Sequence, residues 1–164
     1  PDHVVALPFG SGPRHVVVHP GGHLHVVTEY SCEVFTLAAG PDGRWAVVAG
    51  AVVSPDAAAG FDFPSELSSD REGGFLYAGV RGSNAIAALR VRGSGERVEP
   101  IAMVESGGDW PRHHLVDHDT VLVANQLSGD IASLLIDERT GVPGRPRHRT
   151  DAGSPSCILP ARTD

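Results

Sequence analysis

The chain contains no lysine: all thirteen of its basic residues are arginine, set against twenty acidic ones. The resulting net charge of −7 argues against a sequence-independent nucleic-acid binder, which shows a basic surplus. Cysteine is scarce too. Cys32 and Cys157 are too few for a disulfide scaffold and fit no metal or redox spacing. They read as reduced thiols, which points to the cytoplasm. No apolar run approaches membrane-spanning length and no signal peptide is visible, so no membrane partner is expected. Sustained 3.6-residue apolar stripes with caps are also missing, so helices are not expected.

What the sequence does hold is punctuation and repetition. Twenty glycines and thirteen prolines in 164 residues favour many short strands. Three segments align: "GPRHVVVHPGGHLHVVTEYSCEVFTL" from Gly12, "FPSELSSDREGGFLYAGVRGSNAIAAL" from Phe63 and "WPRHHLVDHDTVLVANQLSGDIASLLI" from Trp110. Each opens on proline and a polar pair, then alternates short strands with turns. The opening prolines are Pro13, Pro64, Pro111 and Pro155, spaced by 51, 47 and 44 residues. That period predicts an all-β chain, a β-propeller of four-stranded antiparallel blades. The blades fall at about 12–60, 61–109 and 110–153. The first blade's strands read Arg14–His19, His23–Glu29, Glu33–Ala38 and Trp45–Val53, with "HPGGH" and "GPDGR" as turns.

The ends carry single strands of two flanking blades. "DHVVALPFG" reads as the last strand of a preceding blade. Residues 154–164, opening "SPSCILPA", read as the closing inner strand of a following one. Three blades cannot close a ring, and an open arc leaves unpaired edges. The chain is therefore expected to supply about half of a propeller. The remaining half is a separate polypeptide, an N-terminal part of the same protein, or a second copy.

Strand direction makes a prediction about chemistry. The start of a blade's first strand and the end of its second lie on one face. The end-of-strand-two position holds Glu29, Arg81 and Gln126, each followed two residues later by a corner serine: Ser31, Ser83 and Ser128. The post-proline pair is Arg14–His15, Ser65–Glu66 and Arg112–His113. Positions that served only blade folding would hold similar residues in all three repeats, and these differ. The expected rim thus offers Arg14, Arg81 and Arg112 as cations, Glu29 and Glu66 as carboxylates, and His15 and His113 as titratable groups. Arginines clustered in this way suit a small anionic ligand.

Other candidates are set aside. "HPGGHLH" places His19, His23 and His25 around a turn without a carboxylate or thiol partner, so no metal site is expected. "GSGPRH" lacks a following helix, so it is no phosphate loop. No Gly-x-Ser-x-Gly elbow is present. "RPRHR", Arg145 to Arg149, and "DERTG", Asp137 to Gly141, read as loops, and Trp45, Trp110, Phe75 and Tyr77 as packing aromatics.

The three segments resemble, in order, blades of the lactonase family of seven-bladed propellers. That family includes propeller-type 6-phosphogluconolactonase and 3-carboxy-cis,cis-muconate lactonising enzyme. "GPRHVVVHPGGHLHVVTEY" is similar to its "GPRH…HP.G…VVNE" blade, "SELSSDREGGFLYAGVRG" to "EIH.SPDGRFLY.SNRG", and "LVANQLSGDIASLLIDERTG" to "LLVANQ.SD.I.VF..D..TG". The resemblance implies the C-terminal half of a seven-bladed ring, closed by its final strand, and a site without cofactor. It implies Arg14, His15, Glu29 and Arg81 as site residues. Thr28 and Val80 replace the family's Asn, and Ser68 replaces the His of "EIH", while Glu66 is kept.

The expected activity is hydrolysis of a sugar lactone, first of all 6-phosphogluconolactone. In that reading Glu29, His15 and Arg81 are catalytic, with Glu29 the general base on water. Arg14, Glu66, Arg112, His113 and Gln126 bind the substrate, a small anionic lactone or carboxylate. A lactonising cycloisomerase and a non-catalytic binding propeller are the alternatives.

Overall fold

The computed structural model describes residues 3–161. It contains twelve strands and, among the described residues, no helix. They form three four-stranded antiparallel sheets, each an up-and-down meander. The first comprises β1 (Pro13–Val18), β2 (Leu24–Thr28), β3 (Glu33–Ala39) and β4 (Trp45–Val52). The second comprises β5 (Phe63–Ser69), β6 (Phe75–Arg81), β7 (Ala85–Arg92) and β8 (Arg97–Glu105). The third comprises β9 (Pro111–Asp117), β10 (Thr120–Asn125), β11 (Asp130–Ile136) and β12 (Pro143–Asp151). The sheets stack face to face as propeller blades, with β1, β5 and β9 side by side.

Packing between blades explains the burial pattern. One core, with Val27, Val34, Leu67, Leu76 and Leu89, joins the first blade to the second. Another, with Tyr77, Ile86, Val121 and Leu134, joins the second to the third. The middle blade is therefore covered on both faces, and its β6, "FLYAGVR", is buried from Leu76 to Arg81 without alternation. The first blade has only one covered face. Val16, Val18, Val48 and Val52 stand exposed on its strands.

Histidines of "HPGGHLH" complete the inter-blade contact. Gly21 N–H donates to His19 Nδ1 at 2.9 Å, so the His19 Nε2–H faces Gly73 O of the second blade at 3.0 Å. His25 is buried against Thr36 Oγ1 and lies edge-on to His19. Among the described residues no group of three or more His, Cys, Asp or Glu could hold a metal ion.

Gly141 packs where a side chain has no room. Its φ is +75°, and a Cβ there would drive into the Phe75 ring. That ring is capped by Arg90, whose Nη2 donates to Thr140 O. Gly141→Ala is expected to cost about 3 kcal/mol, combining left-handed backbone strain with overpacking. A denaturation midpoint that does not move would refute this.

The structure changes one sequence reading. "RPRHR" is not a loop: it lies in β12, the outer edge strand, paired with β11 through Ala132↔Arg149 and Ser133↔His148. Charge on an exposed edge blocks pairing with other chains, so a charge run fits a strand there. Residues 3–8 and 154–161, read as single strands of flanking blades, have no ladder partner among the described residues, though Ile158 donates its N–H to His113 of β9. The end of the expected closing strand, 162–164, lies outside the described residues.

Candidate functional site

Each inner strand carries the same irregularity. In β1 the ladder runs from Pro13↔Thr28 to His15↔Val27, skipping Arg14. In β5 it jumps from Pro64↔Val80 to Leu67↔Ala78, and in β9 Arg112 is skipped between Pro111↔Asn125 and His113↔Ala124. Proline has no N–H for the ladder, so a bulge follows naturally. The bulge re-aims Arg14, Ser65–Glu66 and Arg112 at the rim where β2, β6 and β10 end.

Two clusters result. In the first, Arg81 Nη2 bonds Glu29 Oε1 at 2.6 Å, and Arg14 Nε lies 3.9 Å from Glu29 Oε2. Arg81 also donates Nε–H to Phe63 O at 3.0 Å, and its guanidinium stands over the Trp110 ring. Its donors are thus largely used by the protein. Arg14 differs: its Nη1 is buried without a hydrogen-bond partner. Burial first, and then the charge of Arg81, lowers its pKa. A guanidinium in that position is short of negative charge.

In the second cluster Glu66 Oε2 lies 2.9 Å from His15 Nδ1 and 3.5 Å from His113 Nε2. Burial pushes the Glu66 carboxyl up to about 7, against the pull of Arg14 and of the Leu67 N–H. Burial also lowers His15 and His113, helped in both by the charge of Arg14. The His15 side chain is 38% exposed and Glu66 only 11%, so the imidazole is the group that faces outward.

At the third blade Arg112 Nη1 reaches Gln126 Oε1 at a long 3.5 Å. Ser65, standing where its sister repeats have arginine, donates to Pro111 O at 2.6 Å and ties two blades together. All eight residues singled out in the sequence therefore lie at one end of the blades. The corner serines are mostly structural: Ser31 bonds Thr28, and Ser128 Oγ accepts from Asp109 N–H.

Two participants escape the repeat comparison. Trp110 is not merely a packing aromatic, since it stacks on Arg81; the pre-proline position holds Gly12, Phe63 and Trp110, and that variation was the available signal. Ile158 donates its backbone N–H to His113 Nδ1 at 3.3 Å, which no side-chain pattern encodes.

A family model described as "Lactonase, 7-bladed beta-propeller" matches residues 1–160. A 6-phosphogluconolactonase of Bacillus subtilis is 28% identical over 136 residues, covering 80% of this chain and 39% of that protein. A protein of Staphylococcus saprophyticus is 32% identical over 140 residues, covering 82% and 39%. The crystal structure of a periplasmic gluconolactonase of Pseudomonas aeruginosa superposes with a TM-score of 0.83 at 27% identity, over 91% of this chain and 42% of the other. The chain thus spans about four-tenths of the length of these relatives.

Proposed function

This chain belongs to the lactonase family of seven-bladed β-propellers, and from that premise we propose that it supplies the cationic wall of a lactone-hydrolysing site. The observation that carries this reading is Arg14: a buried, unpartnered Nη1 beside an outward-facing imidazole. Arg14 would donate to the lactone carbonyl oxygen and to the oxyanion formed as water attacks. His15 would take the proton from that water and return it to the departing ring oxygen. Glu29, with its oxygens turned to Arg81 and Arg14, would hold both guanidiniums in place.

Three rim arginines against two carboxylates favour a substrate with its own negative charge, and 6-phosphogluconolactone fits that preference. Arg112, with only a long bond to Gln126, would reach the anionic group. The remaining blades of a closed ring would form the opposite wall and cover the valines exposed on the first blade. Two free thiols support placement in the cytoplasm.

The test is hydrolysis of 6-phosphogluconolactone and of unphosphorylated gluconolactone by the ring-complete protein and its Arg14→Ala and Glu29→Gln variants. Arg14→Ala should lose on the order of 10²–10³ in kcat, the usual cost of an oxyanion donor, and Glu29→Gln a smaller part of that, because it loosens the guanidinium without removing it. Unchanged rates would overturn the assignment. Equal kcat/KM for the two lactones would remove the phosphate preference alone.

A further inference from the structure

Glu66 is the odd member of the rim. Its Oε2 is buried and makes no hydrogen bond, yet two imidazole nitrogens stand 2.9 and 3.5 Å away. The groups that face it are Arg14 and His15 from β1 and His113 from β9, with the Leu67 N–H from its own strand. Beyond Arg14, Glu29 is engaged by Arg81.

The two histidines are not equivalent. His113 accepts the Ile158 N–H at Nδ1, so a neutral His113 carries its proton on Nε2, the atom facing Glu66. It is a fixed donor toward the carboxyl. His15 has no such restraint, because its Nδ1 faces Glu66 and its ring is the more exposed of the two. A slight turn of the ring brings the 2.9 Å contact into line as a hydrogen bond.

We propose that Glu66 is a positioning carboxyl that decides which nitrogen of His15 carries the proton, so that one proton at the cluster switches His15 Nε2 between acceptor and donor. The inference rests on the lactonase reading of the rim for its substrate, but not for its proton chemistry. With Glu66 ionised, His15 Nδ1–H points at Oε2, and the Nε2 lone pair faces outward. Nε2 then removes a proton from water as the water oxygen bonds to the lactone carbonyl carbon. The ring C–O bond breaks, and the same proton passes from Nε2 to the departing alkoxide, giving the open hydroxy acid. With Glu66 protonated, its O–H donates to His15 Nδ1. The imidazole stays neutral but now carries its hydrogen on Nε2 and is no base. The high-lying carboxyl puts this switch near pH 7.

Two readouts test it. Nitrogen-15 spectra of histidine-labelled protein, with His15 assigned by a His15→Gln variant, should show the Nδ1–H tautomer above about pH 7 and the Nε2–H tautomer just below it. Glu66→Gln should abolish that step. His113→Phe removes a donor to the carboxylate, so it should move the step to higher pH. In the lactonase assay Glu66→Gln should shift the ascending limb of the pH–rate profile to acid. At pH 6 it should then keep at least about twofold more of its plateau rate than the parent protein, as a base titrating below 6.5 would. A single His15 tautomer across the range, or a step that survives Glu66→Gln, overturns the inference. Absence of lactone turnover with the tautomer step intact would refute the lactonase reading and leave this one standing.

Discussion

Replacing Arg81 with alanine is expected to destabilise the chain by about 3 kcal/mol and to remove at least about 10² of the lactonase rate in the closed ring. Arg81 is 7% exposed and serves four partners at once: Glu29 Oε1, the Phe63 and Pro64 carbonyls and the Trp110 ring. Its loss leaves the Glu29 carboxylate, only 26% exposed, facing Arg14 at 3.9 Å as its one remaining cation. Removing one member of a buried pair costs more than the pair contributes, because the survivor stays desolvated. For a domain of this size the midpoint of thermal unfolding should fall by roughly 6–12 °C. Arg81→Lys should recover little, since an ammonium cannot span a carbonyl and a carboxylate in a planar fork while stacking on an indole. If Arg81→Ala melts with the parent and turns over lactone at the parent rate, Glu29 and Arg81 have no part in the site.

The sequence disclosed the rim and hid its wiring, for a physical reason. Arg14, His15, Glu29, Glu66, Arg81 and His113 could be found because a repeat aligns equivalent strand ends, and unlike residues at equivalent ends stand out. Strand boundaries in the first blade were legible within one residue at every end, since turns such as "HPGGH" need particular residues. Partners across blades were not legible. That Glu66 meets His15 on one side and His113 on the other depends on how three sheets stack, and repeat alignment carries no such information. Ser68 shows the same limit. Its hydroxyl meets His114 Nε2 at 2.7 Å, a part-buried inter-blade contact with no trace in either repeat. The charge-rich β12 was hidden by composition, which does not separate an edge strand from a loop.

Lowering the pH should unfold this chain well before its carboxylates are exhausted. His25 and His114 are both almost wholly buried, and burial is the first cause that lowers each. His25 is pushed down to about 4 and His114 to about 3, and neighbouring histidines contribute to both. In the unfolded chain each would take a proton near pH 6.5. Between pH 6.5 and 4 the unfolded state therefore binds more protons than the folded one, and stability falls as pH falls. Above pH 6.5 both states hold these rings neutral, and the contribution is flat. At pH 4, His25 alone should cost roughly 3 kcal/mol, with His114 adding to it. Each ring also has a buried nitrogen without a partner, so the folded state offers the incoming proton no acceptor. His25→Gln should lessen this slope by its own share, leaving that of His114, with stability above pH 7 within about 2 kcal/mol of the parent. Urea midpoints measured from pH 4 to pH 8 provide the check. A parent curve that stays level from pH 6.5 to 4, or an equally steep one in His25→Gln, would show that these rings already carry their protons in the fold.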